Sequence, residues 1–133
     1  MEKVFFTASG GNFFYRETGK TKKVTEYPCD GKLLKAAEQV KTKYHTGRGV
    51  IGSGDEWNNQ LDRIALLRER YHTAVEDMES AAAAQLCLSY GVPFLGVRIL
   101  SNSIVNGEKF DEAVGIDGQK FMLSLIDQMR EYM

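Results

Sequence analysis

Three short β-prone runs, at residues 47–51, 73–76 and 92–100, alternate along the chain with segments whose apolar residues recur at helical spacing. That alternation leaves few architectures open. Parallel strands need a crossover between them, and helical crossovers pack on the faces of the sheet they connect. The expected fold is therefore α/β, a three-layer arrangement on a mainly parallel or mixed sheet, in a single domain over residues 1–133. The helices are expected at about 31–44, 58–70, 78–90 and 113–132. Leu33, Ala36, Ala37, Val40 and Tyr44 face inward on the first, and Leu61, Ile64 and Ala65 on the second. The third is dense in alanine, which lets a backbone approach a sheet closely. The last presents Phe121, Met122, Leu125, Ile126, Met129 and Met133 on one side. Pro28-Cys29-Asp30-Gly31 has the composition of a helix entry, Asp77 that of an N-cap, and Gly91 that of a helix stop. Nearer the start, runs 3–7 and 12–16 flank Ser9-Gly10-Gly11 as a hairpin, and 17–25 is expected to be loop. Three central strands are few for a sheet covered on both faces, so the chain reads as part of something larger.

Composition narrows the functions. Lys and Arg number 17 against 18 Asp and Glu, a net charge of −1, and so no long-range field favours nucleic acid or an anionic membrane. No apolar run approaches the roughly 20 residues of a membrane helix, and Met1–Phe6 is too short and acidic for a signal peptide. Cys29 and Cys87 stand far apart in no metal-like spacing and are expected as idle thiols in the cytoplasm. His45 and His72 have no partner spacing for a metal or a triad, so no metal and no cofactor is expected.

Open α/β sheets bind ligands beyond the carboxyl ends of their strands, and three such ends are legible. Gly52-Ser53-Gly54-Asp55-Glu56-Trp57-Asn58-Asn59 lacks the full glycine spacing of a dinucleotide loop and the Gly-Lys-Ser/Thr ending of a phosphate loop. Trp57 is either a core anchor or a stacking surface for a flat base, and Asn58 offers an amide to a base edge. Asp77-Met78-Glu79-Ser80 puts carboxylates at a helix start, where dipole compensation is the plainer role for Asp77. In Arg98-Ile99-Leu100-Ser101-Asn102 the arginine ends an apolar strand and needs a partner, and Asn102 emerges where ligand atoms would lie.

Taken together, Ser53-Gly54-Asp55, Val75-Glu76-Asp77-Met78-Glu79-Ser80-Ala81-Ala82, Gly91-Val92-Pro93-Phe94 and Arg98-Ile99-Leu100-Ser101-Asn102 resemble the nucleoside phosphorylase and nucleosidase superfamily in order and spacing. The branch they are most similar to is the 5′-methylthioadenosine/S-adenosylhomocysteine nucleosidases. The likeness runs from about Asp30 to the C-terminus and is loose over residues 1–29. It implies cleavage of the bond between a purine and its ribose, with a purine nucleoside as ligand. Met78 would then pack under the ribose, and Glu79 would accept from ribose hydroxyls and stabilise the oxocarbenium-like sugar. Trp57 and Asn58 would line the base pocket, Ser101 would join the substrate-binding set, and Asn102 would engage the base at N7.

The resemblance also carries two departures. Most such nucleosidases have an aspartate where Asn102 stands, and an amide can donate a hydrogen bond to N7 but has no titratable proton to deliver. Adenine and 6-oxopurine nucleosides thus both remain open as substrates. Family members are also about twice as long, and their N-terminal half carries the first strands, the acid that activates water and the phosphate contacts of phosphorylases. The implied fold is the phosphorylase/nucleosidase type lacking that N-terminal half. The implied assembly is a homodimer or a pairing with a complementary N-terminal chain. Phosphorolysis and non-catalytic nucleoside binding stand as the alternatives to hydrolysis.

Overall fold

In the computed structural model, residues 26–131 are described together with the backbone of three strands, β1 (Lys3–Phe6), β2 (Asn12–Tyr15) and β3 (Lys20–Lys23). There follow β4 (Glu26–Pro28), α1 (Gly31–Glu38), β5 (Val50–Ser53), α2 (Leu61–Tyr71), β6 (Thr73–Asp77), α3 (Ser80–Tyr90) and α4 (Ala113–Arg130). Four strands form a mixed sheet in the order β4-β1-β5-β6, while β2 and β3 make a separate antiparallel pair. Within the larger sheet β1, β5 and β6 run parallel and β4 runs antiparallel to β1. This is the α/β architecture with a mainly parallel, mixed sheet that strand–helix alternation predicts.

The core gathers at the middle of this sheet. Ile51 of β5 is fully buried and shares a cluster with Tyr27 of β4 and with Ala81 and Ala84 of α3; Val75 and Phe94 pack against it. The alanines matter here: α3 turns Ser80, Ala81 and Ala84 toward the sheet, and side chains of one carbon let its backbone lie close to β4, β1 and β5. On the other elements, α2 packs on β5 and β6 through Leu67, and α1 packs on α4, where Leu125 is buried. Helix ends follow local chemistry. Asp30 accepts from the amides of Lys32 (2.9 Å) and Leu33 (3.0 Å) to start α1, and Gly91, at φ 64°, ends α3. His72 takes the left-handed conformation at the end of α2.

Several expectations are corrected. Residues 92–100 form no strand ladder among the described residues; Phe94 O accepts from the amide of Asp30 at 2.7 Å, and the Val92 amide donates back to Cys87 O at 2.8 Å at the end of α3. Local composition there is strand-like, but a ladder also needs a neighbour, and Val92, Pro93, Ile99 and Leu100 lie exposed instead. Runs 3–7 and 12–16 do not pair with each other. Strand β1 is an inner strand between β4 and β5, and β2 takes β3, inside the expected loop, as its partner. The turn at 7–11 lies outside the described residues, as do Tyr132 and Met133. Helix α1 stops at Glu38, with Leu34 rather than Leu33 fully inside and Tyr44 exposed. In α2 the inward row is Ile64, Leu67 and Tyr71, whereas Leu61 and Ala65 face out, because the helix begins at Leu61 and its stripe is set by contact with β6. Of the α4 residues, Met122 and Ile126 are exposed. Among the described residues no helix is long and apolar enough to cross a membrane, and Cys29 and Cys87 are half-buried free thiols.

Candidate functional site

Strands β5 and β6 end side by side, because Ser53 pairs with Asp77 in their parallel register. Their carboxyl ends therefore open on one edge of the sheet, where the loop at 54–60 and the start of α3 both begin. The third segment is brought there by an ion pair: Arg98 Nε donates to Asp77 Oδ2. The same carboxylate accepts from the backbone amide of Ser80 at 3.1 Å and from the Ser80 hydroxyl. Ser53 Oγ accepts from the amide of Ala81 at 3.0 Å, and the Gly54 amide donates to the Asp77 carbonyl at 3.0 Å. The ends of β5 and β6 and the segment at Arg98, which ends no strand, thus meet at Asp77. Burial alone would raise the Asp77 pKa. Hydrogen bonds from Ser80 and Ser53, with the charge of Arg98, outweigh it and hold the carboxyl below the ordinary aspartate value.

Around this node the predicted site residues take distinct positions. Trp57 is 68% exposed, which rules out the core-anchor role and leaves its ring free at the mouth of the β5 loop. Asn58 fastens that loop, donating through Nδ2 to Glu76 at 2.8 Å and accepting at Oδ1 from the amide of Gln60 at 3.2 Å. Its amide is engaged internally at both ends. Met78 is exposed, and Glu79, also exposed, turns one oxygen back to accept from the Met78 amide at 3.2 Å. The other carboxylate oxygen has no protein donor among the described residues and keeps its lone pairs for an incoming one. Ser101 donates its hydroxyl to Asn102 Oδ1 at 3.0 Å, an amide orientation assigned from this contact. Asn102 is partly exposed.

Sequence reasoning treated Asp77 as dipole compensation and Arg98 as structurally paired without naming its partner. The structure joins the two, and supplies Ser53 and Ser80 as members of the same network. An acidic residue ending one strand and an arginine ending another were the available signal.

The larger described hollow lies elsewhere. An open apolar groove of about 590 Å³ runs between residues 97–99 and α4, lined by Ile99, Met122, Leu123 and Ile126 among others. It shares only Arg98 with the polar node, and apart from Arg98 and Gln119 its lining side chains are apolar.

A parallel-centred α/β sheet with two polar strand ends at one edge, and a third polar segment held against them by Arg98, is the architecture in which α/β proteins place small-molecule sites. The chain belongs to the Phosphorylase superfamily, whose sequence profile matches residues 3–129. It is 36% identical over 112 residues to the 5′-methylthioadenosine/S-adenosylhomocysteine nucleosidase of Bacillus pumilus, an alignment covering 77% of this chain and 48% of that protein. Against the nucleosidase of the same name from Geobacillus kaustophilus the identity is 30%, covering 79% of this chain and 48% of the relative. The chain thus spans about half the length of the curated relatives it matches. Among solved structures, futalosine hydrolase of Helicobacter pylori superposes with a TM-score of 0.70 at 21% identity, covering 95% of this chain and 56% of that one. The Campylobacter jejuni 5′-methylthioadenosine/S-adenosylhomocysteine nucleosidase gives 0.70 at 23% identity, covering 99% and 62%. These two likenesses establish the shared fold.

Proposed function

We propose that this chain supplies the ribose- and base-contacting part of a purine nucleosidase site that hydrolyses the N-glycosidic bond of nucleosides of the methylthioadenosine and adenosylhomocysteine type. The observation that carries the reading is the meeting at Asp77 of the β5 end, the start of α3 and the segment led by Arg98, in a member of a superfamily whose similar relatives are nucleosidases.

Chemically, the ribose gains positive charge as the bond to the base breaks, and the departing purine gains negative charge. Glu79 accepts from the ribose hydroxyls and opposes the first charge. Met78 packs beneath the sugar. Asn102 donates its Nδ2 hydrogen to N7 and opposes the second charge, in keeping with the Ser101 hydroxyl already holding its oxygen. Trp57 stacks on the base, and Ser101 orients Asn102. Asn58 contributes to the base pocket by holding the Trp57 loop against Glu76. No group assigned here activates the attacking water; that role falls to a partner surface. The exposed apolar residues of 92–100 and of α4 suit such a partner, either a second copy or a complementary chain. Two free thiols are in keeping with a cytoplasmic setting.

The test is steady-state hydrolysis of methylthioadenosine and inosine by the wild type and by Glu79→Gln, Asn102→Ala and Asn102→Asp, with and without any complementary N-terminal chain, in phosphate-free buffer, with product purine binding measured in parallel. Glu79→Gln is expected to lower kcat by about 10²–10³, the scale of one preorganised electrostatic contact, and to leave affinity for the free purine nearly unchanged. Asn102→Ala should weaken base binding and turnover together, and Asn102→Asp should raise activity toward the adenine nucleoside. Wild-type protein that binds purine nucleosides without cleaving them would replace this reading with a binding module. Turnover that requires phosphate would make it a phosphorylase.

A further inference from the structure

Asp77 touches every segment of the candidate site, yet nothing assigned above has it meet the substrate. Its side chain is only 8% exposed. Oδ1 accepts from the Ser80 amide, and Oδ2 from both the Ser80 hydroxyl and Arg98 Nε. The Ser53 hydroxyl bonds it as well. A carboxylate so filled with donors has no lone pair spare for a ligand and no opening through which to pass a proton. What it can do is hold things in place. On one side it grips the first turn of α3, directly beyond Met78 and Glu79. On the other it grips Arg98, whose Nη1 also donates to the Val97 carbonyl at 2.9 Å and so stiffens the backbone that leads to Ser101 and Asn102.

We infer that Asp77 is the positioning residue of this site: through Ser80 and Arg98 it fixes the distance between the Met78–Glu79 pair and the Ser101–Asn102 pair. The inference rests on the nucleosidase reading only for what those pairs touch; the mechanical coupling stands apart from it. An amide in the same place would turn an N–H2 toward donors, and at least one of the two grips would open. A misplacement of about 1 Å between reacting groups costs on the order of 100-fold in rate.

The experiment compares Asp77→Asn, Asp77→Glu and Arg98→Gln with wild type in the full chain. The first readout is ¹H–¹⁵N NMR. Asp77→Asn is expected to shift the Arg98 Nε–H signal, the Asn102 side-chain amide and the backbone amides of Met78 and Glu79, with the amides of α1 unmoved. Arg98→Gln should shift the same Asn102, Met78 and Glu79 signals. Asp77→Glu, which keeps the charge, should return the pattern most of the way to wild type. The second readout is hydrolysis of methylthioadenosine. Asp77→Asn is expected to lower kcat/KM about 100-fold with KM raised and kcat lowered, whereas a mere loss of folded protein would lower the maximal rate and leave KM alone. Asn102 signals that stay in place while those of Ser80 move would overturn the inference, as would an unchanged KM. If Asp77→Asn does not fold, Arg98→Gln carries the test, since its side chain is 34% exposed and its loss opens no sealed core. A wild type without turnover both alone and with a complementary N-terminal chain removes the nucleosidase reading, and the NMR comparison still decides the coupling.

Discussion

Replacing Gly52 by alanine is expected to damage the sheet at a crowded point, by an amount the geometry sets. Gly52 is buried in β5, paired with Phe5 on one side and Glu76 on the other. A Cβ built there would lie 2.8 Å from Thr73 Cγ2, with Thr73 Cβ and Glu76 Cγ both at 3.5 Å. Carbon atoms in comfortable contact stand roughly 3.5–4.0 Å apart, so the nearest approach is short by most of an ångström. Thr73 cannot readily yield, since it is branched at Cβ and buried. Overpacking of this kind costs roughly 1–3 kcal/mol. Alanine also stiffens the unfolded chain, an offset of about 0.4–1 kcal/mol, leaving a net loss of about 1–2 kcal/mol. Urea unfolding followed by circular dichroism should show the midpoint falling with the slope unchanged. The diagnostic step is Thr73→Ser, which deletes the offending methyl and keeps the hydroxyl. In the Gly52→Ala background it should restore most of the lost stability, although alone it destabilises. If Gly52→Ala is as stable as wild type, or if the two changes simply add, the steric account is wrong.

Gly118 meets an equally short contact, 2.8 Å to Ile99 Cδ1, yet the opposite sign is expected. The obstructing atom is the tip of a flexible, exposed side chain, and Gly118 lies inside α4, where alanine is favoured by about 1 kcal/mol; a higher unfolding midpoint for Gly118→Ala would bear this out. Asp77 should shape the acid limb of stability. Its folded pKa is depressed, so its contribution is present above the ordinary aspartate pKa and is lost as pH falls through that value toward the lower folded one. Unfolding free energy measured from pH 6 down to pH 2 should therefore drop less steeply in Asp77→Asn than in wild type.

How much of this was legible beforehand depended on the range of the interaction. The Asp30 cap, the Gly91 stop and the alanine face of α3 are decided within a few residues, and each was readable from composition and spacing. Residues 92–100 were misread for the converse reason: an apolar run reports that a segment could be a strand, and nothing in it reports whether a neighbour stands ready to pair. The same holds for β1. Its partners begin at Glu26 and Val50, well beyond any local window. In the site, two of the three segments do end strands, β5 and β6, but the third ends none and is carried in by Arg98; Asp77 and Arg98 are joined across 21 residues, and only the fold reveals that each is the other's partner. The amide of Asn58 looked available for a base in the sequence because Glu76, which engages it, lies 18 residues away on the next strand.

The inner position of β1 has a consequence for how this sheet is assembled. Antiparallel pairing with β4 can form early, since the two strands are close in sequence. Parallel β5 and β6 are separated by a gap of the same length, residues 54–72, and can pair as early, whereas the β1–β5 pairing must wait until the longest loop of the sheet has closed. The sheet therefore assembles from two pairs, and the seam between β1 and β5 is completed last. Refolding should accordingly be slow for a chain of this size, with the amides of the β1–β5 ladder among the later ones to gain protection from exchange.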